Sequence, residues 1–188
     1  MKIDLRVPPC KPANETADFI KQCEDAGFDG VGLLDSQLLE RDVFVSMAVA
    51  AQATSKIRIA SAVTNPVTRH PSVLASAFKT VAEIAPGRTE YWMGRGYSSV
   101  QTIGIKPATV KQMRDSVLTM KSLLAGDEVD FDGSKSRMRH GGGEVPPIYI
   151  SATGPRAIEA AGEVADGVLL QIGLDPKAVE LARQHVEI

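Results

Sequence analysis

The stretch "DGVGLL", Asp29 to Leu34, returns near the other end of the chain as "DGVLLQ", Asp166 to Gln171. Each follows a helical pattern, turns at Asp-Gly and continues as an unbroken apolar run. Apolar runs that do not alternate with polar residues mark strands buried on both faces. Such strands belong to parallel sheets covered by helices. The echo is either an internal duplication or the shared grammar of βα units. Both readings put the chain in the α/β class.

Working outward, the same alternation fills the sequence. "IDLRV" (Ile3–Val7) reads as the first strand, and a helix follows with Asn14 as N-cap and Ala17, Ile20 and Cys23 on one face. Gly27 supplies the left-handed residue that ends it. "GVGLLD" (Gly30–Asp35) is the second strand. Asp42 caps a helix bearing Phe44, Met47, Ala48 and Ala51. "IRIASAV" (Ile57–Val63) is the third strand, and Pro71 opens the next helix. "TEYWMG" (Thr89–Gly94) is the fourth strand. Pro107 suits the first turn of a long helix, because its missing N–H has no partner there anyway. That helix carries Val110, Met113, Val117, Met120 and Leu124 and stops at Gly126. "PIYISA" (Pro147–Ala152), a helix opened by Pro155, "GVLLQI" (Gly167–Ile172) and a last helix started by Asp175-Pro176 complete the series.

Six βα units in order predict a doubly wound sheet or a (β/α)8 barrel in one domain over residues 1–188. In both, ligands gather at the C-terminal ends of the strands. Residues 127–146, polar and glycine-rich, break the rhythm as an insertion. Val129–Phe131 and Ser136–Arg139, joined at Asp132-Gly133, read as a small hairpin. Its alternating charges suit a solvated strand face or a flap over a substrate.

Composition bounds the function. The chain has 188 residues, 44% apolar and 23% charged, with a net charge of −2. Nothing in that charge favours nucleic acid or an anionic membrane as partner, and a small molecule is the expected ligand. No apolar run approaches the ~18 residues of a membrane span. "MKIDLRVPPC" lacks the apolar core of a secretory signal. Cys10 and Cys23 make no disulfide framework, so the expected setting is the reduced cytoplasm.

At the strand ends, "AVTNPVTRHP" (Ala62–Pro71) offers Thr64, Asn65, Thr68 and Arg69, although turn formers of this kind also make an ordinary loop. "SATGP" (Ser151–Pro155) runs from a strand through Thr153-Gly154 into a helix opened by proline. That leaves free N–H groups at a helix N-terminus, where a phosphate or carboxylate binds, with Arg69 or Arg95 as helpers. "EYWMGRGYSS" (Glu90–Ser99) is neither a P-loop nor a dinucleotide fingerprint. Ser98 and Ser99 lack the Gly-x-Ser-x-Gly elbow of a nucleophile. His70, His140 and His185 have no metal spacing, so no metal is expected. Asp35, at a strand end, is the candidate polar group for catalysis.

The stretches "CKPANE" (Cys10–Glu15), "AGFDGVGLLDSQLLERDVF" (Ala26–Phe44), "AAQATSKIRIASAVTNPVTRHP" (Ala50–Pro71), "APGR" (Ala85–Arg88), "GRGYSSVQTIGIKPATV" (Gly94–Val110), "LLAGDEVDF" (Leu123–Phe131) and "VPPIYISATGPRAIEAAGEVADGVLLQIG" (Val145–Gly173) together resemble the luciferase-like flavin and deazaflavin oxidoreductases. The nearest branch is that of methylenetetrahydromethanopterin reductase-like proteins. The resemblance implies a (β/α)8 barrel that binds FMN or the deazaflavin coenzyme F420 at its C-terminal face. It implies hydride transfer between that cofactor and a small organic substrate. The alternatives are an FMN-dependent monooxygenase and a non-catalytic flavin-binding member. By the same resemblance, Asp35 and Ser36 lie at the ring edge. Ala62 and Val63, joined by a cis peptide, back the ring, with Thr64 next to them. Arg95, Gly96, Tyr97 and Ser98 run along the cofactor, and Thr153, Gly154 and Pro155 hold its phosphate.

Three departures stand out. Trp92 occupies a position where the family has glycine, and Tyr97 one where Asp or Glu is usual, so the loop reads as an altered cradle. An indole at position 92 is expected to crowd the barrel interior or the helices outside it. The chain also carries about six of the family's eight units, which implies a fragment, or a short form that closes its sheet edges as a homo-oligomer.

Overall fold

β1 (Asp4–Val7), β2 (Gly30–Leu33), β3 (Arg58–Thr64), β4 (Thr89–Met93), β7 (Ile148–Ala152) and β8 (Gly167–Leu170) form one parallel sheet in that order. The structure is a computed structural model and describes residues 2–186. Barrel walls are wound in sequential order, whereas a doubly wound sheet reverses its strand order, so the first alternative is excluded. β5 (Val129–Phe131) and β6 (Ser134–Ser136) pair separately as an antiparallel hairpin. The helices are α1 (Ala13–Asp25), α2 (Val43–Ala53), α3 (Pro71–Ile84), α4 (Ser98–Gln101), α5 (Val110–Ala125), α6 (Pro155–Val164) and α7 (Pro176–Val186).

Strand alternation separates two environments. Val31, Leu33, Ile59, Tyr91, Met93, Ile148 and Ile150 pack into the core with Ile20, Met47, Phe78, Met113 and Met120 of the helices. The other face carries Asp4, Arg58 and Glu90, linked by ion pairs of 2.8 Å and 2.6 Å through the Arg58 guanidinium. Above them on that face lie Gly32, Ala62 and Trp92. A Cβ at Gly32 would stand 2.6 Å from the Ala62 Cβ and 3.4 Å from the Trp92 ring. Gly32 therefore makes the room that the indole occupies. Trp92 is half-buried on the inner face, the first of the two places expected, and its Nε1 donates to Glu90 Oε2 at 3.2 Å.

The local signals operate as expected at several ends. Gly27 and Gly126 are left-handed at φ 86° and 89°, and the Asp42 side chain accepts from the amides of Phe44 and Val45. Elsewhere the structure corrects the reading. The long helix starts at Val110, beyond Pro107. Thr109 accepts from the Gln112 amide and the Gln112 side chain accepts from the Thr109 amide, a capping box that satisfies two free amides where Pro107 satisfies none. The first helix is capped at Pro12, which leaves Asn14 within it. The hairpin's second strand begins at Ser134. Asp132 and Gly133 are both left-handed, and such a two-residue turn brings Phe131 directly opposite Ser134. β3 runs one residue further than expected, to Thr64. The Ala62–Val63 peptide is cis, and the register with β4 shifts between Ala62 and Thr64.

Candidate active site

The C-terminal ends of the parallel strands open on one cleft of about 420 Å³. Of the residues expected there, Asp35, Ser36, Ala62, Val63, Arg95, Gly96, Tyr97, Ser98, Thr153 and Gly154 line it. Two do not. Thr64 is fully buried and donates from Oγ1 to Asp35 Oδ2 at 2.7 Å. Pro155 forms the first turn of α6 behind Gly154.

The β2 end is a locked assembly. The Asp35 carboxylate is buried, accepts from Thr64 and pairs with Arg69, whose other terminal nitrogen reaches Asp42 at 2.8 Å. Burial works against the Arg69 charge, yet Asp35 and Asp42 hold its proton above the ordinary guanidinium value. Its guanidinium carbon also stands 5.1 Å from the centre of the Phe44 ring. Arg69 is thus committed behind the cleft and is not the phosphate helper expected from the sequence. Asp35 serves as a fixed acceptor that anchors the β2 and β3 loops.

Side-chain ties join three loops. The Ser36 and Ser98 hydroxyls bond to each other, Gln37 Nε2 donates to the Ser99 carbonyl at 2.8 Å, and Asn65 Nδ2 donates to Ser99 Oγ at 3.0 Å. The loop after β4 comes close to its neighbours. The Gly94 amide donates to the Thr64 carbonyl at 2.8 Å, and a Cβ at Gly94 would stand 2.9 Å from Val63 Cγ2. Gly96 is left-handed at φ 83°, and a Cβ there would stand 2.9 Å from Val100 Cγ1. Both glycines are required by geometry. Arg95 Nε donates to the Ala108 carbonyl, and Tyr97 stands at the rim, 76% exposed.

At the opposite wall, Gly154 caps α6. The amides of Ala157 and Ile158 close the first helical bonds on the Gly154 carbonyl, at 3.0 and 3.1 Å. The Arg156 amide precedes those bonds, and no atom lies within 4 Å of a Cβ built at Gly154. An open, positively polarised helix end of this kind accepts an anion.

Arg6, Ser99, Ser151 and Gln171 also line the cleft, and of these the sequence did not single out Arg6. The last three lie at strand ends, where ligands were expected. Arg6 lies within a strand, and its only signal is alternation in "DLRV", which puts Asp4 and Arg6 on the face opposite Leu5 and Val7. Trp92 lies outside the cleft lining. It borders a second, inner cavity of about 300 Å³ that shares Arg6, Ala62, Val63 and Gln171 with the cleft.

A sequence model described as luciferase-like monooxygenase matches residues 3–187. The chain belongs to that family. Among family relatives, the 5,10-methylenetetrahydromethanopterin reductase of Methanolobus tindarius is 33% identical over 195 residues, covering 99% of this chain and 58% of the relative. The F420-dependent glucose-6-phosphate dehydrogenase of Microbacterium testaceum is 29% identical, covering 87% of this chain and 54% of the relative. The solved coenzyme F420-dependent tetrahydromethanopterin reductase from Methanopyrus kandleri superposes with a TM-score of 0.81 at 26% identity, over 99% of this chain and 60% of that one. The sheet is therefore six consecutive βα units of the family's barrel. The chain spans somewhat more than half the length of these relatives.

Proposed function

We propose that the cleft binds the deazaflavin coenzyme F420 or FMN and serves hydride transfer to or from a small organic molecule. One observation carries this reading: the open N-terminus of α6, where the Arg156 amide precedes the first helical bonds, and the hydroxyl-bearing β2 and β4 loops face a single cleft at the strand ends. Its volume, about 420 Å³, falls in the ~300–1,000 Å³ range of small-molecule sites. The names of the F420-dependent relatives support the choice of cofactor.

The residues present fit such a group. The α6 end, with Thr153 and Gly154, would hold a phosphate. Ala62 and Val63, approached closely by Gly94, would back a flat ring. Ser36 and Ser98 would offer polar contacts at its edge. When bound, the flavin or deazaflavin supplies the hydride donor or acceptor. The protein's share is positioning. Asp35 holds the β2 loop through Thr64 and Arg69, and the Ser36–Ser98 and Asn65–Ser99 bonds keep the loops at fixed separation. Fixed donors of this kind require no reorganisation when the ligand reacts. The homo-oligomeric state and cytoplasmic setting expected from the sequence belong to the same proposal.

The test is equilibrium binding of F420 and of FMN to the purified chain, followed by absorbance as substrates are added. Saturable F420 binding with substrate-dependent bleaching supports the reductase reading. FMN binding with oxygen consumption supports the monooxygenase instead. Binding without turnover supports a non-catalytic carrier.

A further inference from the structure

Arg6, an exposed residue of β1, lies where the cleft and the inner cavity join, since it lines both. Among the described residues its guanidinium has no hydrogen-bond or ion-pair partner. Four other arginines of the sheet and its loops are engaged. Arg58 binds Asp4 and Glu90, Arg69 binds Asp35 and Asp42, Arg41 donates to the Cys10 carbonyl, and Arg95 donates to the Ala108 carbonyl.

The two carboxylates that line these cavities, Asp35 and Asp4, do not cancel its charge. Asp35 is held by Thr64 and Arg69, and Asp4 is held by Arg58 at 2.8 and 3.0 Å. Arg6 also acts on Glu40, which lines neither cavity. Burial and the neighbouring Asp35 carboxylate push the Glu40 carboxyl above the usual carboxylate range, against the pull of Arg6 and the Ser36 amide. One of its oxygens, Oε2, is buried with no hydrogen-bond partner among the described residues. A cation without a partner at the mouth of an otherwise neutralised cavity attracts an anion. Below it, the inner cavity presents Trp92, Val63 and Leu169, an apolar wall that suits a carbon skeleton.

We propose that Arg6 is the substrate-recognition residue of this site, and that the substrate carries a carboxylate or phosphate beside an apolar body seated against Trp92. The proposal rests on the function proposed above. It assigns Arg6 to the substrate and the α6 N-terminus, on the opposite wall, to the cofactor.

Trp92 is the only tryptophan in the chain and borders the inner cavity, so its fluorescence reports occupancy without any turnover. The probes are benzoate, phenyl phosphate and neutral benzyl alcohol, each titrated with and without cofactor. Both anions should change the Trp92 emission saturably, and added salt should weaken them. The stronger of the two identifies the preferred acid group. Arg6→Gln should weaken the anions by about tenfold or more and leave benzyl alcohol unchanged, whereas Arg6→Lys should restore most of the loss. Equal affinity of both anions for the wild-type chain and Arg6→Gln would overturn the proposal, as would failure of both anions to bind the wild type. A tenfold loss of cofactor affinity in Arg6→Gln with probe binding intact would also overturn it, by assigning Arg6 to the cofactor. If no cofactor binds at all, the functional reading fails, and the cofactor-free titrations still decide the role of Arg6.

Discussion

Asp35 and Glu24 are two buried carboxylates that work as structural acceptors in different ways. Asp35 neutralises Arg69 across two loops, and its side chain is only 2% exposed. Removing one partner of a buried pair costs ~3–5 kcal/mol where the other is left unpaired, and Arg69 keeps its contact with Asp42, so the loss falls at the low end. Asp35→Asn should therefore lower the unfolding free energy by about 3 kcal/mol and loosen the cleft, measurable by urea titration alongside cofactor affinity. Glu24, on α1, accepts from the amides of Ser55 and Ile57 at 2.8 and 3.0 Å and from that of Lys56. Burial pushes its carboxyl up, but the three amides and Lys21 outweigh burial and bring its pKa down to about 2, from the ordinary 4.5. A depressed folded pKa means that the unfolded chain binds the proton first as pH falls. The stabilisation is thus complete above about pH 4.5 and is lost between there and about pH 2. Thermal melts across that window should show the wild type losing stability and Glu24→Gln responding less, with the variant lower by about 1–3 kcal/mol at neutral pH.

At the scale of elements, caps and close approaches decide where the chain turns. Thr109→Ala removes the capping box of α5 and should destabilise the chain by about 1 kcal/mol in a denaturant titration. Gly32→Ala places a methyl 2.6 Å from the Ala62 Cβ and should destabilise it by ~1–3 kcal/mol while shifting the Trp92 fluorescence. The order of the six βα units was legible because unbroken apolar strands and glycine helix stops are local signals, as at Gly27 and Gly126. The start of α5 was not, because Pro107 and Thr109 both suit a first turn and only the reciprocal Thr109–Gln112 bonds decide between them. α4 escaped because four residues are too few to show a period. The strand-end loops of the site were legible as positions. Arg69 was misassigned because its partners, Asp35 and Asp42, lie 34 and 27 residues away in sequence. Arg6 was missed because a single arginine in a strand carries no motif.

At the scale of the whole molecule, β1 and β8 are the outermost strands of the sheet, and Ile3, beside β1, is 52% exposed. Strand edges of this kind pair with other chains. The 188-residue chain should therefore self-associate, with a light-scattering mass that rises with concentration. A concentration-independent monomer would show that the six units cover their own edges.

The central claim is that one cleft, with its phosphate end at α6, binds a flavin or deazaflavin. Calorimetric titration of the wild-type chain and Gly154→Val with F420, FMN and their phosphate-free ring compounds tests it directly. The account predicts saturable binding of F420 or FMN by the wild type. It also predicts about a tenfold or greater loss for the phosphate-bearing form in Gly154→Val, with a smaller loss for the bare ring. Absence of saturable binding by any of the four compounds would contradict it, as would equal loss for the ring with and without its phosphate.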